Sequence, residues 1–123
     1  MKAKKAQARP PSLRPRFRIT CGKEIAFGPG KADLLDLISR TGSIGEAASR
    51  MDMSYMRAWS LVREMNRCFR QPVVVSARGG REHGGAELTE TGCRVLELYR
   101  RMEESGRRAA QPDWRALQKL LRA

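Results

Sequence analysis

The stretch from Ser43 to Phe69, SIGEAASRMDMSYMRAWSLVREMNRCF, constrains this chain more than any other. It reads as two helices joined by a tight connection. In the first, Ile44 to Met51, the residues Ile44, Ala47 and Ala48 share one face at i, i+3, i+4 spacing. Ser43 precedes it and Glu46 follows three residues on, the serine-x-x-glutamate pattern that satisfies free amides at a helix start. Asp52 and Met53 make the turn. Ser54 then caps a second helix whose Ala58, Leu61, Val62, Met65 and Phe69 recur at helical spacing. Two short helices, small alanines where they cross and a polar N-terminal face on the second predict a helix-turn-helix. In such units the second helix enters the DNA major groove with its first residues against base edges.

The elements around this pair extend the pattern. Phe17 and Ile19 alternate with Arg16 and Arg18, and Ile25 and Phe27 alternate around Ala26. This predicts two short half-buried strands joined near Cys21–Glu24, with Gly22 in the turn. Gly28-Pro29-Gly30 ends the second strand, and a helix follows from about Lys31 to Arg40. Leu34, Leu35, Leu37 and Ile38 are its buried face, and Thr41-Gly42 closes it. Beyond the helix pair, Val73–Ala77 and Ala86–Leu88 flank the loop RGGREHGGAELT, which makes a hairpin in the position of a wing. The wing's glycines suit a tip lying along a phosphate backbone. It has neither the GxxxxGK order nor the strand-to-helix course of a nucleotide-binding loop. A long helix from about Glu90 to Arg107 carries Val95, Leu98, Tyr99 and Met102 as one apolar stripe. Gly106 and Pro112 interrupt it. Trp114, Leu117, Leu120 and Leu121 then form a short terminal amphipathic helix. The expected fold is mainly α with a small β component, a winged helix-turn-helix. Its parts are a basic disordered arm over 1–15, the DNA-binding unit over 16–108, and the terminal helix over 109–123.

Charge names the partner. At 123 residues, with 41% hydrophobic content, the chain suits one domain with one modest core. Its formal charge of +12 makes nucleic acid the first partner to consider and an anionic membrane surface the second. No apolar run approaches the roughly 18 residues needed to span a bilayer, so no membrane role is expected. Lys2, Lys4, Lys5, Arg9 and Arg14 make the arm either a solubilising tail or a phosphate-seeking one. Cys21, Cys68 and Cys93 are widely spaced and there is a single histidine, His83, which argues against a disulfide framework and a structural zinc site. No catalytic residue, metal or cofactor is expected. The carboxylates have arginines at i+3 or i+4 to pair with.

The expected partner is double-stranded DNA, read by the start and outer face of the second helix: Ser54, Tyr55, Arg57, Ser60 and Glu64. Arginine can pair with guanine O6 and N7, and hydroxyls reach bases or phosphates. Arg63 and Arg67 lie further along, as phosphate contacts, and Ser43 meets a phosphate at the first helix's N-terminus. Arg78 and Arg81 belong to the wing. Trp59 is expected to pack between the recognition helix and the wing, with DNA contact as the alternative. A homodimer is expected through the long helix and the N-terminal strands, on a two-fold symmetric site.

These residues resemble a known family. Ser54, Tyr55, Arg57, Ala58 and Trp59, followed by Gly79, Gly80, Gly84, Gly85, Ala86, Leu88 and Thr89, are similar to the DNA-binding domain of ModE, the molybdate-dependent regulators, itself similar to the LysR-type winged helix. The likeness runs from about Phe17 to Met102. Met56 stands where the family often has a basic residue, and Glu82-His83 replaces wing glycines. The resemblance implies a DNA-binding transcription regulator of the cytoplasm and nucleoid that dimerises. Full-length members carry oxyanion-binding domains after this region, and the expectation is that this polypeptide acts without one. Any link to molybdate would then run through its target genes or a separate sensor or regulator protein. Two rival readings keep the winged scaffold: a protein-interaction module, and a non-specific architectural DNA binder driven by arm and charge.

Overall fold

Gly22 turns the first hairpin. Its φ of 64° lies where glycine alone enters without strain, and it joins β1 (Ile19–Cys21) to β2 (Glu24–Phe27) as an antiparallel pair. The computed structural model describes residues 9–77 and 85–122. Register shifts where Ile19 faces Phe27 and Thr20 faces Ile25, so Ala26 is an extra residue on β2. Such a bulge breaks strict alternation. Ala26 and Phe27 therefore both point inward, at 4% and 0% exposure, while Ile25 is left 42% exposed. The simple alternation read for Ile25 and Phe27 is corrected accordingly.

The next helix, α1 (Pro29–Thr41), starts two residues earlier than expected because Pro29 sits in its first turn, where a missing N–H costs nothing. Leu34, Leu35 and Ile38 are fully buried. Gly42 ends it at φ 73°, with its N–H bonded 2.7 Å to the Ile38 carbonyl. Two short helices follow, α2 (Ile44–Arg50) and α3 (Tyr55–Cys68). Asp52, at φ 59°, takes the left-handed turn between them. Ala47, Ala48 and Ala58 are all but inaccessible, and their small size lets the pair close on α1. Ser43 accepts the Glu46 N–H at 3.1 Å, as the capping pattern predicts. Its own N–H goes to Thr41 Oγ1 at 3.2 Å, the bond a capping-box glutamate would otherwise make.

The second hairpin pairs β3 (Val74–Ala77) with β4 (Gly85–Leu88), from Val74 opposite Leu88 to Ala77 opposite Gly85. The loop residues 78–84, including Arg78 and Arg81, lie outside the described residues. Asn66 on α3 anchors this hairpin. Its Oδ1 accepts the Val73 N–H at 2.8 Å and its Nδ2 donates to the Val74 carbonyl at 3.1 Å.

Thr89 caps the long helix α4 (Glu90–Ala109), which continues straight through Gly106. The expectation that Gly106 interrupts it is wrong, and the reason is packing. A Cβ there would fall 2.6 Å from Phe17 Cζ, so the missing side chain makes room for that ring. Pro112 starts α5 (Gln111–Gln118) in its first turn. Tyr99 is the large side chain that α4 buries. Its hydroxyl donates 2.6 Å to the Phe17 carbonyl, and its ring stands edge-on to Phe27 at 5.0 Å. Of the expected stripe, Leu98 and Met102 remain 40% and 42% exposed. Residues 9–15 have no regular structure, and Leu13 and Pro15 are half-buried. The architecture is a winged helix-turn-helix, mainly α with a small β component.

Candidate nucleic-acid interface

The start of α3 is held by its own cap: Ser54 Oγ accepts the Arg57 N–H at 3.0 Å. From there the helix divides into two faces. Ala58, Leu61, Val62 and Met65 enter the core. Tyr55, Met56 and Trp59 are 50%, 74% and 40% exposed, and Arg57, Ser60 and Arg63 are exposed beside them. Large apolar and aromatic groups interleaved with arginine, on a helix whose other face is core, suit stacking, methyl contact and hydrogen bonding to a polyanion with a chemically varied edge.

Trp59 lies on the outer face of α3, and the wing loop it was expected to pack against lies outside the described residues. It keeps 40% of its surface, and the Arg63 guanidinium lies 5.4 Å from its ring centroid. That cation–π contact holds Arg63 upright along the exposed face. Ser43 stands at the start of α2 with its hydroxyl engaged by the Glu46 N–H.

Two expected contacts are tied to the protein itself. Glu64 Oε1 lies 2.9 Å from Lys31 Nζ, and Lys31 is 6% exposed and donates as well to the Ile25 carbonyl. A carboxylate committed to a buried ammonium is a brace between α3 and α1 and is poorly placed to accept from a base. Arg67 Nη2 meets Glu24 Oε2 at 3.1 Å, and the Cys68 thiol donates to the other Glu24 oxygen at 3.3 Å. These two donors, Cys68 foremost, hold the Glu24 carboxyl below the usual carboxylate range. Burial, then the neighbouring carboxylate, pushes the Cys68 thiol up. The C-terminal turn of α3 is thus fastened to β2, while among the described residues no ion pair ties down its N-terminal turn. Among the described residues, no carboxylate pairs with Arg57 or Arg63.

Sequence reasoning missed Lys31, Asn66 and the arginines that lead into the first strand. Lys31 and Glu64 are 33 residues apart, and nothing local signals their meeting. Arg16 and Arg18 line one cleft with Arg57, and the alternation about Phe17 was their only trace. Among the described residues, no three His, Cys, Asp or Glu side chains cluster to hold a metal, and no helix is long and apolar enough to cross a membrane. Cys21, Cys68 and Cys93 are free thiols.

A wing hairpin behind a capped, outward-facing second helix defines the class, a winged helix-turn-helix. No family model matches the chain. Curated relatives match 63% of the chain. The molybdenum transport protein ModE of Azotobacter vinelandii is 43% identical over 78 residues, 63% of this chain and 29% of the relative. The molybdenum-pterin-binding protein MopB of Rhodobacter capsulatus is 42% identical over 77 residues, 63% of this chain and 28% of that protein. The DNA-binding transcriptional dual regulator ModE of Escherichia coli K12 is 36% identical over 77 residues, 63% of this chain and 29% of its own length. Through these matched residues the chain is similar to proteins named as ModE and as molybdenum-pterin-binding proteins. It spans less than a third of the length of these relatives.

Proposed function

We propose that the chain is a sequence-specific, DNA-binding transcription regulator that acts as a homodimer on a two-fold symmetric operator. The observation that carries this reading is the N-terminal half of α3, where Tyr55, Met56, Arg57, Ser60 and Arg63 face outward from a capped helix start. Tyr55, Arg57 and Ser60 read base edges. Arg63, held by Trp59, takes a flanking phosphate, as do Ser43 at the start of α2 and Arg78 and Arg81 of the wing. Glu64 and Arg67 position α3 through Lys31 and Glu24 in place of reading DNA directly. The relatives that are themselves named as transcriptional regulators support the same role.

The DNA-reading unit is assigned to 16–108, with a basic arm over 1–15 and a terminal helix over 109–123. No reaction, cofactor or oxyanion chemistry is asked of these residues, and the site of action is the cytoplasm and its nucleoid. Support for the dimer comes from the apolar surface of α4, α5 and the turn after Gln118, where Leu98, Met102, Leu117, Leu120 and Leu121 are exposed; the terminal helix expected to include Leu120 and Leu121 ends before them. The same surface is what favours the second reading, a protein-interaction module.

Selection of binding sites from a random duplex pool at near-physiological salt tests the proposal. An enriched palindrome with half-sites about 10 bp apart, or a multiple of that, is expected. Arg57→Ala should relax one position of each half-site, at a cost of about 1–3 kcal/mol. Enrichment without symmetry would remove the dimer. No enrichment, with binding that persists at low salt, would leave a charge-driven DNA coater.

A further inference from the structure

The segment that leads into β1 carries two arginines that no reading of the helix pair uses. Their placement is fixed from several sides. The Tyr99 hydroxyl holds the Phe17 carbonyl at 2.6 Å, and the Phe17 ring fills the space over Gly106. In an extended chain, successive side chains point to opposite faces. With Phe17 turned to α4, Arg18 faces the other way, and Arg16 stands between that side and a second cleft that holds Asp33, Arg100, Glu103 and Glu104. The stem of Arg18 lies over Gly28, where a Cβ would stand 3.6 Å from its Cγ.

Arg16 and Arg18 then enter a cleft that also contains Arg57, Lys31 and Glu64. The cleft lies along the flank of α3, next to its DNA-facing start. Lys31 and Glu64 neutralise each other at 2.9 Å, which leaves three guanidinium groups in one recess. Among the described residues none of the three has a carboxylate partner. Like charges gathered along one recess repel one another, and an anion that bridges them relieves that repulsion.

We propose that Arg16 and Arg18 form a phosphate clamp beside the recognition helix, gripping the DNA strand that borders the groove entered by α3. The inference rests on the reading of α3 as the groove-entering helix. It adds a second, sequence-independent contact from a different element of the chain. Arg57 stands at the junction, with its backbone in the reading helix and its side chain on the edge of the clamp. Arg16 and Arg18 add affinity and salt dependence, and they leave the choice of sequence to α3.

The test is the salt dependence of binding by the full chain to the duplex enriched in the selection, and to a scrambled duplex of the same length. Arg16→Gln/Arg18→Gln should lower the slope of log K against log salt by about 1.8 on both duplexes, since each phosphate contact contributes about 0.9. The ratio of the two affinities should stay that of the wild type. Arg16→Lys/Arg18→Lys, which keeps both charges, should restore most of the slope. Both side chains are exposed, so the thermal midpoint should be unchanged. A wild-type slope in the glutamine variant would overturn the clamp while leaving the reading by α3 intact. A changed preference between the duplexes would also overturn it, because the arginines would then be reading bases. Failure of the wild-type chain to bind either duplex would overturn both the clamp and the reading on which it rests.

Discussion

Tyr99 shows how much one side chain can hold. It is 1% exposed, stacks edge-on to Phe27, and donates its hydroxyl across 82 positions of sequence to the Phe17 carbonyl. Burial, with the nearby Glu103 carboxylate, raises its phenol above the usual tyrosine range. Because the folded state favours the protonated phenol, the stability this group contributes is fully present below about pH 10. It is lost as pH rises through the higher folded value. Tyr99→Phe should cost about 1 kcal/mol at neutral pH and should flatten the alkaline fall in thermal midpoint, which melts between pH 8 and 11 would record. Gly92 presents the opposite case, a position defined by what it lacks. A Cβ there would sit 2.1 Å from the Val73 carbonyl oxygen. Gly92→Ala should therefore destabilise by roughly 1–3 kcal/mol in urea unfolding, although alanine is the better helix former. Gly106→Ala should cost less, because it presses on the edge of the Phe17 ring, a side chain 38% exposed, where Gly92→Ala presses on backbone.

At the scale of elements, α3 is joined to its neighbours by polar ties at its sides and end and left open at its start. Lys31 ties it to α1, Asn66 to β3, and Arg67 with Cys68 to β2. The Glu24 tie carries a pH signature. Its carboxyl is held low in the folded state, so its contribution is present above about pH 4.3 and lost as pH falls through the lower folded value. Glu24→Gln should lower the thermal midpoint at neutral pH, and the gap to wild type should close on acidification. A gap that stays constant down to pH 2 would mean that the ion pair is not the tie.

The helix pair, its caps and the wing were legible in the sequence because their signals are local. Ser43 and Ser54 sit next to the amides they satisfy, and the apolar positions of α3 repeat within four residues. What was not legible depends on distant chain. Glu64 and Arg67 resemble base and phosphate readers until Lys31 and Glu24 are found beside them. Gly106 reads as a helix end until Phe17 is found over it, and the bulge at Ala26 follows from strand pairing that alternation alone does not reveal.

For the whole molecule, the formal charge of +12 sets a long-range attraction to polyanions that any basic protein would share. What sets this chain apart is where that charge is held, since phosphate contacts fix register and base contacts specify sequence. Arg63 is stacked on Trp59, the Arg18 stem lies on Gly28, and Ser54 caps the turn that presents Arg57. On the far side, Arg100 links α4 to α1 through Asp33 at 3.1 Å and also binds Glu103. Burial works against its charge, yet the two carboxylates raise its pKa. This brace holds α4 on α1, and the exposed Leu98 and Met102 belong to α4 and not to the face of α3 that carries Arg57 and Arg63. The most direct measurement is amide chemical-shift mapping on the full chain as the selected duplex is added. The expected result is that the largest changes fall on Ser43 and on Ser54 to Arg63, with α5 unmoved at constant protein concentration. Changes concentrated on α4 and α5, with the start of α3 silent, would contradict the reading of this chain as a DNA-binding winged helix.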